Sequence, residues 1–178
     1  MEDVYIRAFN EIIGIEGGYS DHPDDRGGPT KYGVTRESAR AWGYEGDMRN
    51  FSLQNARDFY YEEFWTKYRF DEIDDERIQL EIFEQAINMG PNRAVRHLQL
   101  TYNGLVESKS ERIAEDGIMG PNTLSAINSL QTEEDKECAF TMMNILQGNY
   151  YINLVKHVPE QHVFLRGWLK RVKIHKQR

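Results

Sequence analysis

Glu16-Gly-Gly-Tyr-Ser-Asp-His-Pro-Asp-Asp-Arg-Gly-Gly-Pro-Thr-Lys-Tyr-Gly-Val-Thr35 is the one long stretch of this chain that resists a helical reading, and it decides the fold. Between residues 17 and 35, five glycines, two prolines and a cluster of aspartates predict a loop or short hairpin. The rest of the chain is punctuated for helices. Upstream, Tyr5, Ala8, Phe9, Ile12, Ile13 and Glu16 recur on one face at helical spacing and stop at Gly17-Gly18. Downstream, Thr35 suits the N-cap of a short helix ending near Gly43, and Ser52 caps another with Leu53, Ala56, Tyr60 and Phe64 as its buried stripe. Asp74 or Asp75 starts a helix whose Ile78, Ile82, Phe83, Ala86 and Ile87 face inward. Gly90-Pro91 ends it and restarts one carrying Val95, Leu98, Tyr102 and Leu105.

Asp116-Gly117 and Gly120-Pro121 form a compact turn, with Pro121 at the first position of a short helix through Leu124 and Ile127. A long helix from about Glu133 to His157 is expected to bury Cys138, Met142, Ile145, Ile152 and Val155. A last one after Pro159 carries Leu165, Trp168, Leu169 and Val172, and reaches Ile174. The prediction is a mostly α protein with a small loop or β-hairpin lobe near residues 17–35. At 178 residues it is expected to be one domain, spanning 1–178, with its chemistry in 1–85 and a helical part, 86–178, packed on it.

Composition narrows the function classes. The hydrophobic fraction of 39% supports a folded core, while the longest apolar runs are far short of a bilayer span. Met1-Glu2-Asp3 does not read as a signal peptide, so synthesis in the cytoplasm is expected, and the lone Cys138 fits a reducing compartment. The net charge of −7 is unevenly spread: residues 1–90 hold 20 acidic against 10 basic residues, whereas the stretch from Arg166 holds six basic residues and no acid. An acidic body argues against nucleic-acid binding. The five histidines are scattered, with no metal-ligand spacing, and neither a metal nor a cofactor is expected. A calcium loop lacks its alternating acidic positions, and no phosphate loop or nucleophile elbow is present.

The chemistry is expected in the irregular segment. Glu16 closes the apolar stripe of the first helix, in its last turn, where partial burial and the negative end of the helix dipole both favour the neutral acid. A protonated carboxyl near neutral pH is what a general acid needs. The plainer reading is a glutamate that turns outward as the helix frays. Asp25 stands nine residues on, beside Gly27-Gly28, where the backbone can double back to bring it opposite Glu16. Two carboxylates in different environments are the requirement for glycosidic hydrolysis, and Thr30 would hold the attacking water. The competing reading of Asp21, Asp24 and Asp25 is ordinary turn chemistry.

Glu16-Gly-Gly-Tyr, Asp25-x-Gly-Gly-x-Thr30 and Tyr32-Gly-Val-Thr35 together resemble glycoside hydrolase family 108, the lysozyme-like muramidases common among phage endolysins. The Glu, Asp and Thr also resemble the phage-type lysozyme triad, with Asp25 to Thr30 one residue shorter, so Lys31 and Thr35 stay open as partners in holding water. Phe83 to Pro91, Ala94 to Gln99 and Asp116 to Pro121 are similar to the peptidoglycan-binding region paired with that family.

The resemblance implies a lysozyme-like helical fold. It also implies cleavage of the β-1,4 bond between N-acetylmuramic acid and N-acetylglucosamine, with Glu16 as acid, Asp25 as base or electrostatic stabiliser and Thr30 as water ligand. It further implies that Asn88 reaches the cleft and binds an N-acetyl sugar, the other reading being a helix C-cap. Tyr32 either stacks on a sugar ring or packs in the core. Trp42, Trp65 and Trp168 read as core.

The expected partner is bacterial peptidoglycan, reached once a phage holin opens the inner membrane, with no protein partner required and a monomer sufficient. The basic C-terminal helix is a candidate contact for an anionic membrane, against a reading in which its stripe closes the core and only the last residues are a solvated cationic tail. The rivals are a lytic transglycosylase and a non-catalytic wall-binding protein.

Overall fold

The computed structural model describes residues 2–13, 18–20 and 28–173. The chain divides into two compact units, residues 1–71 and 72–178.

The first unit is built on aromatic side chains. Helix α1 (Glu2–Ile12) buries Tyr5, Ala8 and Phe9, as its periodicity predicts. The Tyr5 ring lies 5.3 Å from that of Trp65, and its hydroxyl donates to the Arg57 carbonyl. The polar segment yields one small hairpin, β1 (Thr30–Lys31) against antiparallel β2 (Val34–Thr35), with Ser20 bridged to Thr30. Thr35 Oγ1 accepts from the Ser38 amide at 3.1 Å and starts α2 (Arg36–Trp42), which ends at Gly43 with φ 105°.

Helix α3 (Leu53–Tyr60) is capped by Ser52, whose Oγ accepts from the Asn55 amide at 3.0 Å. It runs on into a π-helical turn, Tyr61–Thr66. That wider turn takes an extra residue and rotates the face that follows. Tyr60 and Trp65, five apart, are therefore the buried pair, and Phe64, expected in the stripe, is half-buried. Trp42 is also half-buried rather than core, its Nε1 donating to Glu62 Oε2 at 2.7 Å.

The second unit holds helices and turns and no strand among its described residues. Asp75 Oδ1 accepts from the Arg77 and Ile78 amides and opens α4 (Glu76–Met89). Gly90, with φ 87°, ends α4, and Pro91 opens α5 (Pro91–Leu105), so the two helices share a one-residue corner. After the turn at 116–120 comes α6 (Pro121–Asn128). The long α7 (Glu133–His157) starts at Thr132, whose hydroxyl accepts from the Asp135 amide at 3.0 Å. Helices α4, α5 and α7 pack on one another.

The buried face of α7 differs from the expected one. Ala139, Met143, Asn144, Gln147, Gly148 and Tyr151 are buried, whereas Ile145 is 60% and Ile152 55% exposed, and Cys138 is exposed. The Met143 carbonyl and Asn144 turn inward to hydrogen-bond, whereas the buried Gln147 amide and Tyr151 hydroxyl find no partner among the described residues. Gln85 of α4, fully buried, donates from Nε2 to the Met143 carbonyl at 3.0 Å and to Glu81 Oε1 at 2.7 Å. Its Oε1 accepts from His97 Nδ1 at 2.8 Å.

Helix α8 (His162–Trp168) also stops short of Ile174. The Lys173 amide leaves the helical ladder for Asn144 Oδ1 of α7, and the adjacent Val172 packs over Gly148. Trp168 is half-buried and stacks 5.4 Å from Tyr151. Val163, Phe164 and Leu169 are exposed.

Candidate functional site

Glu16 and Asp25 lie outside the described residues. What the structure gives is the hairpin that follows them and how it is held. Lys31 pairs with Val34, leaving Tyr32-Gly33 as a two-residue turn with φ 52° and 76°. Two consecutive positive φ values make the tight turn whose twist matches a β-hairpin. Glycine adopts this freely. Tyrosine does so under strain, the kind of local cost that concentrates at working sites.

The strain is held by α3. The Tyr60 hydroxyl donates to the Tyr32 carbonyl at 3.2 Å. A Cβ on Gly33 would stand 2.7 Å from that hydroxyl, so Gly33 is required both for its φ and for this approach. Burial pushes the Tyr60 hydroxyl well above the ordinary tyrosine range, and it stays a donor at every working pH. The Tyr32 ring is half-buried, with Lys31 Nζ 5.6 Å from its centroid.

Thr30 is fixed on both sides. Its amide donates to the Ser20 carbonyl and its carbonyl accepts from the Ser20 amide, each at 2.8 Å. Its hydroxyl proton goes to the Gly28 carbonyl at 3.1 Å, leaving the Oγ1 lone pairs able to accept from a water. The other two hydroxyl and amine candidates are otherwise engaged: Thr35 caps α2, and Lys31 Nζ donates to the Arg49 carbonyl.

Asn88 belongs to the second unit. It lies half-buried in the last turn of α4, and its Nδ2 donates to the Glu84 carbonyl at 2.8 Å. Its amide thus serves the helix end, with Oδ1 left as the atom that could receive a ligand donor.

The second unit also carries a turn that sequence reading marked without finding what holds it. Gln99, 1% exposed, donates from Nε2 to Asp116 Oδ1 at 2.8 Å and to Thr123 Oγ1 at 3.1 Å, and its Oε1 accepts from the Gly117 amide at 2.8 Å. The Ile118 amide and then Gln99 hold the Asp116 carboxyl below its usual range. Gly117, at φ 76°, could carry no side chain, because a Cβ would stand 2.6 Å from the Asn92 carbonyl oxygen. Beside this turn is a pocket of about 370 Å³ reached by Gln99, Asp116 and Thr123. A glutamine at a helical position of α5 gives no pattern signal, which is why Gln99 was missed. Tyr60, read as core, was missed as a positioning group for the same reason.

Among the described residues, no group of three or more His, Cys, Asp or Glu side chains could hold a metal ion. No described helix is long and apolar enough to cross a membrane.

The chain matches two family models in succession: glycosyl hydrolase 108 over residues 9–90 and a predicted peptidoglycan domain over residues 93–173. It is similar to the solved structure of Brucella abortus SagA, with 25% identity and a TM-score of 0.69 over 97% of this chain and 91% of that one. No curated protein matches it.

Proposed function

We propose that this chain is a glycosyl hydrolase 108 enzyme with a peptidoglycan-binding region behind it, as the two successive family matches support. From that premise of a peptidoglycan-degrading glycoside hydrolase follow the bond, the residues and the setting. The bond is the β-1,4 linkage between N-acetylmuramic acid and N-acetylglucosamine. Glu16 is the general acid that protonates the leaving oxygen, and Asp25 is the base or stabiliser for the oxocarbenium-like transition state. Thr30 accepts from the water that attacks. Tyr32 and Asn88 contact the sugars. The enzyme works as a monomer in the manner of a phage endolysin, made in the cytoplasm and acting on the wall after release. Its basic C-terminal segment, from Arg166 on, is a contact for an anionic membrane.

One observation carries this reading. The hydrolase match spans residues 9–90 and so takes in Glu16, Asp25, Thr30, Tyr32 and Asn88 together. The strained Tyr32-Gly33 turn, tied to α3 by Tyr60, supports it with a rigid mount beside Thr30.

The test is turbidity loss on purified peptidoglycan. Glu16→Gln keeps the volume and removes the proton, so activity should fall about 100-fold or more. Asp25→Asn should also be severe, and Thr30→Ala milder. Glu16→Gln retaining a tenth of the parent rate would remove Glu16 from the acid role. Muropeptide ends released as 1,6-anhydro sugars would make the enzyme a transglycosylase.

A further inference from the structure

Residues 1–90 are strongly acidic, yet one pocket of the first unit gathers arginines. It measures about 430 Å³ and is lined by Tyr19, Pro29, Arg36, Arg40, Asp47 and Arg49, among others. Tyr19 stands three residues past Glu16 in the chain, and Pro29 adjoins Thr30.

Arg36 is placed against local preference. Arg36 and Arg40 are one turn apart on the same side of α2, where like charges repel. Arg36 is also the first residue of that helix, the end at which a cation is disfavoured. It has no acidic partner among the described residues. Arg40 is turned toward the pocket by hydrogen bonds to the carbonyls of Tyr44 at 2.9 Å and Gly46 at 3.2 Å. Arg49 lies 5.4 Å over the Tyr19 ring and 3.5 Å from Asp47, its one carboxylate neighbour among the described residues. Lys31 brings a fourth cation, donating to the Arg49 carbonyl. Among the described residues that line the pocket, one acid stands against three arginines, a field suited to an anion.

Guanidinium forks match a planar carboxylate in a bidentate manner. We infer that this pocket binds a carboxylate of the peptide stem carried by the wall glycan, through Arg36 and Arg49, with Tyr19 as a platform for the stem. The inference rests on the proposed peptidoglycan substrate. In an intact wall the lactyl carboxyl of the sugar is tied up in an amide, so the stem is the source of free carboxylate. Glycan stripped of peptide offers the lactyl carboxylate instead, and this separates the two sources.

Two measurements test it. In the first, Arg36→Gln/Arg49→Gln is compared with the parent on peptide-bearing wall and on amidase-stripped glycan. Losing two charge-assisted contacts should raise the half-saturating concentration of peptide-bearing wall about tenfold, leaving the maximal rate and the stripped substrate unchanged. Arg36→Lys/Arg49→Lys should recover part of the loss. Equal losses on both substrates, or no loss, would overturn the inference, and a matched thermal melt excludes misfolding.

The second needs no turnover: a synthetic stem tripeptide with free carboxylates should bind the parent, the amidated tripeptide and the double Gln variant should not, and indifference to amidation would overturn the inference. A protein that binds the tripeptide but leaves walls intact would sink the proposed activity and spare the pocket.

Discussion

The two units solve the problem of a core in different ways. In residues 1–71, Tyr5, Phe9, Phe51, Phe59, Tyr60, Trp65 and Phe70 fill the interior, and few polar atoms join them. In residues 72–178, Gln79, Gln85, Gln99, Asn103, Asn144 and Gln147 are buried beside Ile82, Phe83 and Leu98. An aromatic core is stabilised by area removed from water and tolerates small shifts of its neighbours. A core of amides is stabilised where its hydrogen bonds are satisfied, as at Gln85 and Gln99, and weakened where they are left open, as at Gln147. The first kind supports the strained hairpin through one of its own rings, Tyr60, whose hydroxyl donates to the Tyr32 carbonyl. The second fixes turns atom by atom, as Gln99 does.

This contrast can be broken by substitution. The largest effect should come from Trp65→Ala, which empties a fully buried indole site in the first unit and should cost about 3–5 kcal/mol by chemical denaturation. A cost under about 1 kcal/mol would mean that the aromatic core repacks freely. Next is Gln85→Leu, nearly isosteric and more apolar. If amides hold the second unit, it should lose about 1–3 kcal/mol, because the Met143 carbonyl and His97 Nδ1 lose their partner. A neutral or stabilising result would show that the second core also rests on area alone.

A third test uses pH. Burial, then the neighbouring Arg93, lowers His97 from 6.5 to about 4. The folded state therefore binds the proton more weakly than the unfolded chain does. Its contribution to stability is intact above pH 6.5 and is lost as pH falls from 6.5 toward 4. Hydrogen exchange should show α4 and α5 loosening across that window before α1 and α3, and His97→Gln should flatten the difference. The smallest effect should belong to Ile145→Ser and Ile152→Ser, each within about 0.5 kcal/mol of the parent, since both side chains face solvent. A larger loss would place an apolar contact on that face of α7.

The same contrast explains what was legible in the sequence. Helix starts were readable because a cap is local: Thr35, Ser52 and Asp75 each accept from an amide two or three residues on. The Gly90-Pro91 corner was readable because both residues restrict the backbone. The segment that would not be helical was readable for the same reason. The inward face of α7 was not, because hydropathy ranks Ile145 above Gln147, and only the distant Gln85 and Lys173 show why Asn144 and the Met143 carbonyl turn inward. The π-helical turn after Tyr60 moved the buried position from Phe64 to Trp65 without any marker in composition. At the candidate site, the residue types were readable from glycine spacing. The groups around them, Tyr60 on the Tyr32 carbonyl and Arg49 over the Tyr19 ring, come from 28 and 30 residues away and carry no local pattern.

Cys138 has a practical use that follows from its turning outward. It is the only thiol in the sequence, and it sits exposed near the start of α7. A maleimide dye will therefore attach at a single address, on the opposite kind of surface from the amide core it would otherwise have disrupted. Titrating wall fragments against that one fluorophore would follow the second unit optically while the three tryptophans report largely on the first, where Trp42 and Trp65 lie.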